Sequence, residues 1–410
     1  MAPLINVKLG IVYLNSPKSV LETGFVFTVK TDNTGTSNDD QFTLPLHSTF
    51  DASSGTTAEV DWGDGNSDTI TAYDQSEITH TYASAGTYTI KITNEIRGWR
   101  FDNSGDRLKF LNISNWGVFE HTTFRAFQGC ENFTLTATDA PTFVTSGASG
   151  TRADSFFNAC SQVNGPVNHW DISGITHLNL FFRNASLFNQ PLSNWDVSSV
   201  TTFDQMFRDA DSFNQDISSW SINTSSSVNM RNMFLNNSAF NTSIDNWDVS
   251  EVTDMNQMFR GSVYNQQLNS WDVSKVTNMS RMFGFPSGGV GGNFNQPLSN
   301  WNVSNVTNMS EMFRKNDAFN QDISSWNIVK VSNATNFMES CDGFSTANYD
   351  ALLIAWEATL QSAHSEGSGY TLTPSWHFGN AQYTDGGAAA TARASLISNF
   401  NWSITDGGTA

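Results

Sequence analysis

L-S-N-W-D-V-S-S-V-T-T-F-D-Q-M-F, from Leu192 to Phe207, returns as L-S-N-W-N-V-S-N-V-T-N-M-S-E-M-F from Leu298 to Phe313. The phrase is anchored by Trp170, Trp195, Trp220, Trp247, Trp271, Trp301 and Trp326, at intervals of 25, 25, 27, 24, 30 and 25 residues. Eleven residues after most of these tryptophans comes an apolar pair such as Phe181-Phe182, Met206-Phe207 or Met312-Phe313. A period in this range predicts an α/β solenoid, in which each coil buries its apolar edge against its neighbours.

Within one coil, Leu192-x-x-Trp195-x-Val197 has the spacing of a leucine-rich-repeat strand with Trp and Val pointing inward. Thr201 stands where a helix N-cap would, its hydroxyl able to accept from an orphan N–H. Phe203, Met206 and Phe207 follow at i, i+3 and i+4, which predicts about two helical turns. An asparagine closes each coil (Asn189, Asn214, Asn241, Asn265, Asn295, Asn320), and stacked amides there would satisfy backbone groups. Parallel strands stacked ~4.8 Å apart would make nine coils a rod of roughly 40 Å.

The flanks read differently. Residues 1–24 form an arm, and from Phe25 the chain alternates apolar and polar residues in short runs bounded by Gly, Asn and Asp. That pattern predicts a small β-sandwich over 25–96. Asp61-Trp62-Gly63-Asp64-Gly65, followed by the H-T-Y-A-S-A-G-T-Y-T-I run from His80 to Ile90, resembles a PKD-like domain, an immunoglobulin-type sandwich. The repeat block, 97–345, begins with imperfect copies, as end coils facing a different neighbour should. Its W-D-V-S-x-V-T-x-M-x-x-M-F and F-N-Q phrases resemble the BspA-like leucine-rich-repeat surface proteins, described by a 26-residue bacterial surface repeat. The resemblance continues into 346–410, through Asn348 to Leu353, Gly379 to Tyr383 and Trp402 to Gly408. There, Tyr349 to Leu360 and Ala388 to Phe400 predict helices of an α/β cap, and Trp402 to Ile404 a last strand that seals the sheet. The resemblance implies a secreted or cell-surface protein used in adhesion, without a shared catalytic site.

Charge narrows the partners. With 39 Asp and Glu against 20 Lys and Arg, the chain carries −19, which disfavours nucleic acid and anionic lipid. No apolar run approaches the ~20 residues that span a bilayer, and the first twenty residues do not read as a secretory signal. Two settings follow: a bacteriophage virion, with residues 1–24 docking the chain to other virion proteins, or a bacterial cell surface. Either implies a protein or glycan partner, and a homo-oligomer is compatible with both.

Candidate chemistry is sparse. Asp171, Asp196, Asp248 and Asp272, with Ser221, Asn302 and Asn327, follow the tryptophans and would form one column on the strand ladder. Such carboxylates repel unless solvated or bridged, so the column is either a solvated stripe or a contact for a cation or ligand. Glycoside hydrolysis by paired carboxylates would need a cleft and a proton donor. Asp61 and Asp64 could meet Ca²⁺ but lack an EF-hand's other ligands; otherwise no cofactor is expected. Cys130, Cys160 and Cys341 share a small slot with Ala185 and Ala210, either as buried thiols or with Cys130 and Cys160 paired. The seven histidines lack metal-ligand spacing. The insertion from Gly284 to Asn293, carrying Phe285 and Val290, is a candidate contact loop. The expectation is a non-catalytic recognition or display protein, with an adhesin as the alternative setting and a glycan-active enzyme as the remote one.

Overall fold

The structure, a computed structural model, describes residues 24–50, 57–144, 150–286, 288, 291–365 and 371–410. The expected arm lies outside these residues, apart from Gly24. The first strands are β1 (Phe25–Lys30), β2 (Gln41–Thr43), β3 (Ala58–Asp61), β4 (Ser67–Ile70), β5 (Thr79–Thr81) and β6 (Thr87–Asn94). They are followed by β7 (Phe110–Asn115), β8 (Glu120–His121) and β9 (Thr134–Leu135). Alternation in β1 turns Phe25, Phe27 and Val29 inward, where all three are fully buried. β1 pairs antiparallel with β6 on one side and β7 on the other, and β7 pairs parallel with β9. The six-stranded order β4-β3-β6-β1-β7-β9 therefore draws strands from both sides of the boundary expected at residue 96. The free edge of β1 needs a partner, and the first coil supplies it. β2 and β5 form a separate pair, joined to the sheet through contacts such as Phe27 on Phe42.

A lysine and an aspartate lock the β1–β2 loop onto this junction. Asp106 accepts from the Thr36, Ser37 and Thr43 amides and from the Ser37 hydroxyl at 2.6 Å. Lys109 Nζ donates to the Ser37, Asn38 and Gln41 carbonyls and to the same Ser37 hydroxyl. Both side chains are buried.

Beyond the junction the repeats stack in chain order. Parallel bridges run His177 to Thr202 to Asn229, and Asp254 to Asn278 to Asn308 to Asn333. Three side-chain ladders reinforce them. From Trp195 to Trp326 each repeat tryptophan Nε1 donates to a carbonyl one coil back, as Trp220 does to Leu192 and Trp301 to Leu268. Each closing asparagine accepts the amide of its successor, Asn214 from Asn241 and Asn241 from Asn265, both at 2.9 Å. Hydroxyls of Thr201, Thr277 and Thr307 donate to the preceding coil's carbonyl at the equivalent position. Between them, Phe182, Phe207, Phe234, Phe259, Phe283 and Phe313 form one buried pile with successive centroids 5.6 to 5.9 Å apart.

Two local expectations are corrected. The phrase around Trp195 is a pair of turns, closed by Trp195 N–H on Leu192 O and Val200 N–H on Val197 O, and the inter-coil pairing sits later, at Thr202. The two helical turns after Thr201 are also absent, because Gln205 and Asp209 have φ of 60° and 55°, which ends any right-handed run. Here alternate amides donate to the next coil: Gln205 to Arg231, Phe207 to Met233, Asp209 to Leu235. Phe203, Met206 and Phe207 are buried, so the 3–4 spacing finds inward residues but misnames the backbone that carries them. Thr201, expected to cap a helix, spends its hydroxyl on the preceding coil.

A left-handed L-residue costs about 1–2 kcal/mol, which the inter-coil bonds offset at about 1 kcal/mol each. Glycine and asparagine tolerate the conformation better, and the column containing Asp209 also holds Asn184, Asn236 and Gly261. Ala159 occupies it at φ 59°. Ala159→Gly is expected to stabilise the chain by about 0.5–1 kcal/mol, read as a raised midpoint in urea; a loss would show that the turn is not strained there.

The C-terminal segment continues the ladders. Helix α1 (Thr346–Ser365) supplies Trp356, whose Nε1 approaches Ile323 O at 3.4 Å, and Asn348, which donates to Asn320 Oδ1 at 2.9 Å. Strand Ser375–His377 receives the Met338 amide on His377 O and pairs parallel with Ser403–Thr405. Helix α2 (Ala388–Phe400) packs on α1, and its Arg393 holds Asp406 through two hydrogen bonds while the Tyr349 hydroxyl holds it from α1.

Candidate recognition surface

The predicted Asp/Asn column is exposed, but one oxygen of each side chain is already engaged. Asp171, Asp196, Asp248 and Asp272 each accept the amide of the serine two residues on, at 2.9 to 3.1 Å. Asn302 and Asn327 do the same with Ser304 and Val329. These bonds hold the Asp171, Asp196 and Asp248 carboxyls below the usual carboxylate range. The column forms turns first, with outer oxygens left for water. Asp61 and Asp64 behave alike: Asp61 accepts from Gly63 N, and Asp64 accepts from Asn66 N and pairs with His80 Nε2 at 2.9 Å. His80 stacks on Trp62 and Tyr82 donates to Trp62 O, so the W-G-D-G and H-T-Y motifs meet in one structural cluster. Among the described residues, no group of three or more His, Cys, Asp or Glu could hold a metal ion.

The thiols are buried and free. Cys160 donates to Phe127 O at 3.0 Å and Cys341 to Asn316 O at 2.9 Å. Burial pushes all three upward, Cys341 to about 12, away from nucleophilic thiolate. Phe285 is half-buried, its amide on Arg314 O and its ring close against Gly292, so it continues the ladder rather than tipping a loop. Val290 lies outside the described residues.

The tandem-turn face carries a row of arginines. Six of the chain's twelve arginines (Arg183, Arg208, Arg231, Arg260, Arg281, Arg314) fall in these turns, and Arg125 and Arg152 lie just before the first of them. Arg183, Arg208, Arg260 and Arg314 each follow the apolar pair, and the backbone ladder fixes them in one column with Leu235 and Gly284 in the intervening places. A neighbouring column steers them: Gln205 Oε1 accepts from Arg208 at 2.9 Å, Gln257 Oε1 from Arg260 at 2.8 Å, and Glu311 lies 3.9 Å from Arg314. Arg281 also reaches Glu311, at 2.7 Å. Arg183 and Arg260 make no ion pair among the described residues, and Arg183 Nε has no hydrogen-bond partner. Burial, then like charge from nearby arginines, lowers both. The signal was visible as M/F-F-R recurring with the repeat. It reads as solvated surface until the turn geometry brings the copies together.

Along another face, Asp216, Ser218, Thr242, Asp245, Asn246 and Ser270 line a broad, open depression. No helix among the described residues is long and apolar enough to cross a membrane.

The sequence matches the family described as "Mycoplasma protein of unknown function, DUF285" over residues 151–262, 221–288 and 290–359, slightly more than half of the chain. Comparison with curated proteins and with solved structures found no match.

Proposed function

Starting from the chain's membership of the DUF285 family, a surface-repeat family related to the BspA-like proteins, we propose that it is a non-catalytic display scaffold. In this reading the repeats form a leucine-rich-repeat-like solenoid in which tandem turns replace helices, flanked by an immunoglobulin-like sandwich and an α/β cap. The scaffold recognises a protein or glycan at an outer surface, on a virion or on a bacterial cell. One observation supports it most. The asparagine, tryptophan and threonine ladders tie each coil to the next, so the polar columns outside are held at fixed spacing. Preorganised columns suit a long, shallow partner better than a small molecule, which favours an enclosed pocket.

The carboxylates support the same view. Burial raises Asp254, and Asp204 adds to the rise, as a proton donor beside a second carboxylate would require. Yet Asp204 is bound by Arg231 at 2.9 Å and by Asn232 at 3.1 Å, which leaves it a poor nucleophile or base.

The test is fractionation and binding with the whole chain. Mass spectrometry of purified particles and of cell-envelope fractions is expected to find the chain in one of them. Arrayed glycans and surface proteins should be retained without being cleaved. Confinement to the cell interior, or turnover of polysaccharide that vanishes in Asp204→Asn, would overturn the reading.

A further inference from the structure

The turn face combines three properties. It concentrates guanidinium groups on a chain of net charge −19. It spaces them by whole coils, about 4.8 Å per rung. It also exposes no large apolar side chain between Leu178 and Ser340, since Leu187 and Val263 lie outside the turns. We propose that this face is a binding track for an acidic polysaccharide, whose carboxylates meet Arg183 and Arg260, the two guanidiniums of the column that lack an ion pair.

Charge complementarity carries the assignment. Guanidinium is planar, weakly hydrated and matched to carboxylate through two parallel hydrogen bonds. Arg183 and Arg260 arrive without an ion-paired anion of their own, and Gln257 orients Arg260 without neutralising it, whereas Arg208 already pairs with Asp209 at 3.0 Å and Arg314 with Glu339 at 2.5 Å. Arg281, Arg314 and Arg208 crowd like charge around Arg260 with Glu311 as the opposing carboxylate, and an incoming carboxylate relieves the remainder. The chain's overall negative charge does not oppose this at contact, because screening confines it to roughly 8–10 Å in physiological salt.

A polysaccharide fits better than an acidic polypeptide. Protein partners bind through buried aromatic and aliphatic anchors, for which this face offers no apolar counterpart. A linear glycan with one carboxylate per sugar presents charge at a regular rise, and its hydroxyls can use the half-buried amides of Gln205 and Gln257. Where Leu235 and Gly284 interrupt the arginines, the column leaves room for uncharged parts of the chain.

The inference rests on the recognition reading, and its test separates the two. Polygalacturonate, neutral dextran and poly-glutamate are titrated into the full chain by calorimetry at low and physiological salt. Polygalacturonate is expected to bind, more weakly as salt rises, and dextran not to bind. Arg183→Gln with Arg260→Gln should weaken binding roughly tenfold or more, with an unchanged thermal midpoint. Lys275→Gln with Lys330→Gln, which removes exposed positive charge beside the Asp/Asn column, should stay within about twofold. Absent polygalacturonate binding, or binding indifferent to the two arginines, overturns the track. Poly-glutamate binding with the same arginine dependence also overturns it, in favour of an acidic protein. If the native chain still attaches to particles or cells in those cases, display stands and only the track falls.

Discussion

Trp247→Ala is expected to destabilise the protein by about 3–5 kcal/mol, the range for truncating a buried indole. Trp247 stacks on Trp220 at 6.0 Å and 6°, and its Nε1 supplies Ile217 O with a hydrogen bond of 3.1 Å. Alanine removes the stack, opens a cavity between coils and leaves that carbonyl without its indole donor. Because coils touch only their neighbours, the damage should be local. Hydrogen exchange should accelerate first in the coils around residues 217–260, before the N-terminal strands or the C-terminal helices. Trp247→Phe keeps most of the ring and loses the N–H, so its cost should fall to about 1–3 kcal/mol. An alanine variant that unfolds within 1 kcal/mol of the native chain would show that the indole pile does not hold the coils together.

The second large effect is predicted where the N-terminal strands meet the first coil. Lys109→Met should cost about 3–5 kcal/mol, as expected when one partner of a buried charged network is removed. The ammonium satisfies three carbonyls and the Ser37 hydroxyl, and that hydroxyl in turn donates to Asp106. With methionine there, the Ser37, Asn38 and Gln41 carbonyls lose their donor and Asp106 keeps a buried charge. Adding Asp106→Leu to Lys109→Met should cost less than the sum of the single changes, since the two charges belong to one network. Chemical unfolding of the four variants checks this. Strict additivity would mean that the lysine and aspartate act separately.

The coil period, the buried tryptophans and the asparagine column were legible because each is a side chain repeated at one spacing. An amide that recurs every 25 residues can only meet its own copies, and Asn189, Asn214 and Asn241 do so. The backbone of the turns was not legible. Phe203, Met206 and Phe207 have the same inward periodicity in a helix as in two successive turns, and only the sign of φ at Gln205 and Asp209 separates them. The Asp column was found, but reading its residues as strand positions hid their work as turn formers. Arginines drew no notice singly, since one Arg after an apolar pair is ordinary surface. The Asp106–Lys109 network joins segments some 70 residues apart, a pairing that no local pattern announces.

No tryptophan, asparagine or threonine bond described above reaches past the adjacent coil. The architecture therefore sets no preferred number of copies, and unequal exchange between near-identical phrases could lengthen or shorten the molecule without redesigning either end. The stack would then be adjustable in steps of one rung, with the N-terminal strands and the closing helices left unchanged at its ends.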